Sequence, residues 1–259
     1  MTAKCMVSRV SIKWTVLGLF ALLGAASAGS ALAAGLPEAD KLIVLVRAED
    51  CDRPALERAL PRIADKLARD HRTSRVAIDW PADAARNLDL MGNPSPFAAA
   101  LEVSAKQSAL ARIGSRVRRR LADACPADVY LVHERRLMTT PRTWPLGTPS
   151  PDTKVLVTLF RKDGLTREEF DSEWSGPHAG LALGWRRPRG GNGHYVQNLV
   201  VGTAGSVATR YDGIGEAEGN ESGPASEEIR LRRIDTAAHA RIFHTTGPMF
   251  VVRETIVKD

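Results

Sequence analysis

Two kinds of apolar spacing alternate along this chain. Residues 41–47, KLIVLVR, are a continuous apolar run between charges, the pattern of a buried strand. Residues 53–70 then switch to steps of three and four, with Leu56, Leu60, Ile63 and Leu67 on one line, which predicts an amphipathic helix. The same reading predicts strands near 74–80 and 97–103, a helix at 106–123 and a strand at 128–138. That order is βαββαβ. Residues 139–152, TTPRTWPLGTPSPD, hold four prolines and a glycine and read as a linker. The order then repeats, with a strand at 154–160 and a helix at 166–175 continuing briefly to 184. Strands at 194–201 and 207–216, a helical stretch near 225–241 and a strand at 248–257 complete the second half.

The two halves look like copies. Placing Arg47 on Arg161 gives an offset of 114, at which Leu56 falls on Phe170, Leu60 on Trp174, Ala64 on His178 and Leu67 on Leu181. Further on, Glu102 falls on Glu216, and with a gap Glu134 falls on Glu254. The pattern reads as an internal duplication with a period of about 115 residues, whose first copy keeps the apolar stripe and has lost the special side chains. A four-stranded sheet with helices on one face leaves an apolar face to cover. The two sheets are therefore expected to cover each other within one chain.

The second copy carries the more distinctive residues. Thr166 with Glu169 three positions on is a capping box at a helix start. Phe170, Trp174 and His178 follow at four-residue steps on one face. Pro177 is expected to break or kink this helix after Ser175 and Gly176. The run Arg161, Lys162, Gly164, Leu165, Thr166, Glu168, Glu169, Phe170, then Trp174, then His178, Ala179 and Leu181, then Tyr195, Gln197 and Asn198, resembles the EthD domain. The resemblance covers roughly residues 154–257. It implies the dimeric α+β barrel: ferredoxin-like βαββαβ units paired sheet to sheet around a small pocket. It also implies a link to ether degradation by monooxygenase systems, or dehydration and cyclisation of aromatic polyketides. The expected fold is thus α+β, with two tandem ferredoxin-like units forming the barrel in one chain.

The N-terminus adds an address. Lys4, Arg9 and Lys13 precede an apolar run from Trp14 to Ala28, and Ala31-Leu32-Ala33 offers a cleavage site. These are the three parts of a secretory signal, with an uncleaved anchor or a mis-assigned start as alternatives. The expected organisation is a signal at 1–33, a degenerate unit at 34–138, a linker at 139–153 and an EthD-like unit at 154–259. A genuine signal makes the protein periplasmic or secreted, touching a membrane only if the segment stays uncleaved; otherwise it is cytoplasmic. The whole-chain charge of +6 falls to +3 without residues 1–33, which carry three cations and no acid. Arg116, Arg118, Arg119 and Arg120 lie at helical spacing without interleaved aromatics, so a solvated face is read there and no nucleic-acid partner is expected.

Two cysteines remain after the leader, Cys51 and Cys125. In a ferredoxin-like unit the first and fourth strands are antiparallel neighbours. Cys51 after the first strand can therefore meet Cys125 before the fourth as a disulfide, two separate thiols being the alternative.

For chemistry, His178 is the candidate acid/base, against a structural role at the helix break. Tyr195 and Gln197 share a strand face with Leu199 and Val201 and are candidate substrate contacts, or rim residues facing water. Trp174 is core or a pocket wall. His194, His239 and His244 lack ligand spacing, so no metal is expected. No cofactor is expected, haem being the alternative because some related barrels bind it. The partner expected is a small hydrophobic or aromatic molecule, with further self-association left open. Two functions stay in play: an enzyme or oxidoreductase-system accessory, and a non-catalytic exported binding or scaffold protein.

Overall fold

Strand β1 (Lys41–Arg47) places Lys41, Ile43 and Leu45 on one side and Leu42, Val44 and Val46 on the other, and both sides are buried. A strand buried on both faces must lie between two layers, and this one separates a helical layer from a barrel interior. The computed structural model describes residues 37–83, 94–139, 141–186, 194–219 and 240–259. The leader and the stretch near 225–239 lie outside the described residues. Residues 35–259 form one compact unit.

After β1 come α1 (Arg53–Ala68), β2 (Thr73–Pro81), β3 (Phe97–Ala105), α2 (Gln107–Leu121) and β4 (Ala127–Met138). The second half runs β5 (Thr153–Arg161), α3 (Arg167–Glu173), a π turn at Trp174–His178, α4 (Ala179–Arg186), β6 (Tyr195–Thr203), β7 (Gly213–Gly219) and β8 (Phe243–Lys258). The eight strands close into a barrel in the order β1-β3-β2-β8-β5-β7-β6-β4. Each half contributes four neighbouring strands, and the seams are the antiparallel pairs β2–β8 and β4–β6. Closure removes every free sheet edge. The chain thus pairs its two four-stranded sheets with each other, as its repeated pattern implies.

The registers of the two halves superpose. Lys41 faces Val132 and Ser104, as Lys154 faces Val252 and Glu218. Asp79 faces Glu254 and Ala100, as Asn198 faces Glu134 and Ile214. The equivalent of Lys41 is therefore Lys154, one position earlier than alignment on Arg47 and Arg161 implies.

Several boundaries move. β7 begins at Gly213, not at 207, so Tyr211 and Asp212 precede it. Asp212 accepts from the Arg161 amide at 2.9 Å. Pro177 does not break its helix: a five-residue π turn takes it in, and the helix resumes at Ala179. Widening the turn accommodates a residue with no N–H to donate. The capping box at Thr166 and Glu169 is formed from both sides. Cys51 and Cys125 are joined as a disulfide with Cα atoms 4.2 Å apart, bridging the loop after β1 to the start of β4.

Candidate functional site at the barrel mouth

Period-two alternation decides what enters the barrel. In its middle the interior is apolar, with Ile43, Leu45, Leu156, Val200, Ile214 and Phe250. Towards one end the same inward-facing positions carry charges. Lys41 comes from β1, Arg75 and Asp79 from β2, Glu102 from β3 and Glu134 from β4. Lys154, Glu216 and Glu254 come from the second half.

These side chains form a lattice. The Lys41 ammonium lies 2.5 Å from Glu102, 2.8 Å from Glu134 and 2.7 Å from Glu216. The Lys154 ammonium lies 2.6 Å from Glu102, 3.2 Å from Glu216, 3.0 Å from Glu254 and 3.1 Å from Asp79. Two lysines thus share two glutamates across the pseudo-twofold relation, and each holds its own flanking carboxylate. Arg75 adds a 2.7 Å contact to Glu254. The trios Asp79, Glu102, Glu254 and Glu102, Glu134, Glu216 are each close enough to hold a metal ion. An ammonium already sits among each trio.

The electrostatics follow from burial and pairing. Burial alone pushes the Glu102 and Glu216 carboxyls up, but Lys154 and Lys41 outweigh it and hold both well below the carboxylate range. Burial alone would lower Lys41, and Glu102, Glu216 and Glu134 hold it raised instead. Asp79 goes the other way. Burial raises it, Glu102 and Glu254 add to that, and Lys154 only partly offsets them. Neither Asp79 oxygen accepts a hydrogen bond of good geometry. The equivalent position in the other half is Asn198, whose Nδ2 donates to Ile214 O at 3.0 Å and to Glu216 Oε1 at 2.8 Å. The amide nitrogen there donates hydrogen bonds that the Asp79 carboxylate cannot make, while Asn198 Oδ1, like both Asp79 oxygens, accepts none.

Above the lattice is a cavity of about 300 Å³, lined among others by Arg75, Glu134, Arg136, Arg142, Trp144, His194, Glu216 and Glu254. The linker returns across it: Gly147 N donates to Ile256 O at 2.8 Å and Ser150 N to Glu254 O at 2.7 Å. His194, 30% exposed, puts Nε2 3.3 Å from Glu216 Oε2. An imidazole on a buried carboxylate at a cavity wall is a proton-handling pair.

The residues singled out from sequence sit elsewhere. His178 is 7% exposed and packs edge-on to Phe243, with ring centroids 5.6 Å apart. Its equivalent in the first half is Ala64, likewise buried between helix and sheet. Trp174 is 1% exposed and fills the same layer with Phe170, Leu199 and Ile242. Gln197 is buried and donates from Nε2 to the Trp174 carbonyl at 2.8 Å and to the Tyr195 hydroxyl at 3.0 Å. Trp174, Tyr195 and Gln197 are therefore joined, beneath the helices instead of inside the barrel, while Asn198 points inward. In the sequence, Glu102 with Glu216 and Glu134 with Glu254 are marks of the duplication. The further signal was a glutamate inside the apolar run FAAALEVSA, a charge that a strand buried on both faces must neutralise.

The sequence matches no family model and no curated protein. Solved structures do resemble the fold. One, provisionally described as a chlorite dismutase, aligns over 85% of this chain and 95% of its own, at 12% identity and a TM-score of 0.51. A provisionally described monooxygenase from Lactobacillus acidophilus aligns over 84% and 94%, at 10% identity and a TM-score of 0.46. A dye-decolorizing peroxidase from Bacteroides thetaiotaomicron aligns over 85% and 94%, at 9% identity and a TM-score of 0.46. The first shares the fold, a ferredoxin-like dimeric α+β barrel; the other two are too distant to carry an argument. The expectation of no cofactor is corrected by the first of these neighbours, a protein of haem-binding type. The described residues around His178 do not fit that group. An axial histidine must face open space, and this ring is buried against Phe243 in a layer filled by Phe170 and Trp174.

Proposed function

We propose that this protein is an exported, EthD-like member of the α+β barrels that handles a small molecule at the charged mouth of the barrel, His194 on Glu216 moving the proton. The carrying observation is the cavity of about 300 Å³ that has this pair in its wall and a fixed charge lattice as its floor. Oxidoreductase-type neighbours support the broad class, and the motif from Arg161 to Asn198 supports the EthD reading. The reaction fitting such a pair is acid/base work on a small, largely aromatic substrate: dehydration, cyclisation or assistance to an oxidation. His178, proposed from the resemblance as the acid/base, takes a packing role in this reading.

A second reading, a non-catalytic exported binder, draws support from the burial of His178, since the motif histidine then touches no ligand. Native mass spectrometry of protein purified from its own host separates the two. Wild type is expected to retain a small molecule and His194→Ala to lose it. A molecule retained unchanged in mass and never turned over supports the binder. Equal retention by His194→Ala and loss in His178→Ala would overturn the mouth as the site.

A further inference from the structure

The first unit's helical layer is far more basic than the molecule. Residues 53–72 and 106–123 hold twelve Lys and Arg against four Asp and Glu, whereas the whole chain carries a net charge of only +6. Helical spacing sorts these cations. Arg58, Arg62, Lys66 and Arg69 form one exposed line along α1 and just past its end, opposite the buried Leu56, Leu60, Ile63 and Leu67. On α2, Arg112 and Arg119 are exposed and Arg116 on the same line is half-buried. The two lines meet at a concavity of about 810 Å³ lined by Arg62, Lys66, Arg69 and Arg116, with Asp65, Asp70, His71 and Arg72. Asp70 is committed to Arg72 at 2.7 Å. Among the described residues no ion pair engages Arg62, Lys66, Arg69 or Arg116, so four cations face one groove with Asp65 as their nearest uncommitted acid.

We propose that this groove between α1 and α2 is a docking surface for an anionic phospholipid bilayer. Charge complementarity selects a polyanion, and two absences on the face narrow the class. Neither helical segment contains Phe, Trp or Tyr, which removes the stacking platform that single-stranded nucleic acid uses. The large hydrophobic exposed among the described residues is Leu146, on the linker, so the face lacks the apolar anchors of a protein–protein interface. Unpaired cationic groups without an apolar core suit a layer of lipid phosphates.

The test is partition of the purified full-length protein onto phosphatidylcholine vesicles with and without phosphatidylglycerol, at low and raised salt. It is repeated with the Arg62→Gln, Lys66→Gln, Arg69→Gln, Arg116→Gln variant. Each basic residue near an anionic surface contributes roughly fivefold, so the quadruple change is expected to weaken binding to the anionic vesicles roughly a hundredfold or more. Wild-type binding should fall with salt. Insertion of residues 14–28 would act on both vesicle types and survive salt, so it is read separately. Arg62, Lys66 and Arg69 are exposed and Arg116 is half-buried, and an unchanged thermal midpoint shows that the variant is folded. Salt-sensitive partition of wild type that is no greater on the anionic vesicles overturns the proposal, as does an unaffected quadruple variant. Binding of wild type to duplex DNA without binding to anionic vesicles also overturns it.

Discussion

Asp79→Asn is expected to make this protein more stable at neutral pH, although it removes a carboxyl group 3.1 Å from a lysine. Asp79 is wholly buried, and its carboxyl is raised well above its ordinary value by burial and by Glu102 and Glu254. An acid with a raised folded pKa opposes folding above its unfolded pKa, because the folded state binds a proton that the unfolded state has released. Stability is then lost as pH rises from about 4 towards the folded value, by up to about 1.4 kcal/mol per pH unit. Asparagine removes that slope. The other half shows how the amide fits: Asn198 Nδ2 bonds to the carbonyl of its cross-strand partner Ile214 and to Glu216. At position 79 the counterparts are Ala100 and Glu102. A hydrogen bond to a charged acceptor contributes about 1.5–3 kcal/mol, partly offset by the lost contact to Lys154. The net expectation is a gain of about 1–3 kcal/mol at pH 7, shrinking as pH falls to 4. Urea unfolding of both proteins across that range measures it. A loss of stability at pH 7, or a difference equal at both ends, would mean that Asp79 is ionised and held by Lys154, and the argument fails.

Two further outcomes follow from the same geometry. Lys154→Met keeps much of the volume but leaves Glu102, Glu216 and Glu254 short of a counter-ion; breaking a buried ion network in this way costs about 3–5 kcal/mol. Glu102→Gln in that background should recover part of the loss in urea unfolding, and no recovery would show that the carboxylates are relieved in another way. Reducing the Cys51–Cys125 bridge releases a loop of 74 residues and should lower unfolding stability by about 2–4 kcal/mol while the barrel stays closed. Denaturant midpoints with and without reductant, alongside near-ultraviolet dichroism, test both halves of that statement.

Much of the architecture was legible before any coordinates. The continuous run 41–47 and the stripe Leu56, Leu60, Ile63, Leu67 each have one economical burial solution, so strand and helix follow from spacing. The repeat of that pattern in the second half requires two like sheets, and bare sheet faces require a cover. The meeting of Cys51 and Cys125 follows from the strand order alone. Local pattern can therefore specify element, order and pairing of like with like.

The site was a different matter, because a charge in a strand does not announce its partners. Lys41, Asp79, Glu102, Glu134, Lys154, Glu216 and Glu254 lie on seven different strands, and only closure of the barrel brings their heads within ion-pair distance. Likewise the steps from Phe170 to His178 fix that these side chains share a helical face, but not what that face meets. Tertiary packing turned the face onto Phe243 and Leu199, and the histidine that looked reactive went into the helix–sheet layer. Burial of a helix face is set by neighbours remote in sequence, and so is the company of a buried charge. For this protein, periodicity fixed the walls of the barrel, and the folded chain alone decided which polar groups share its interior.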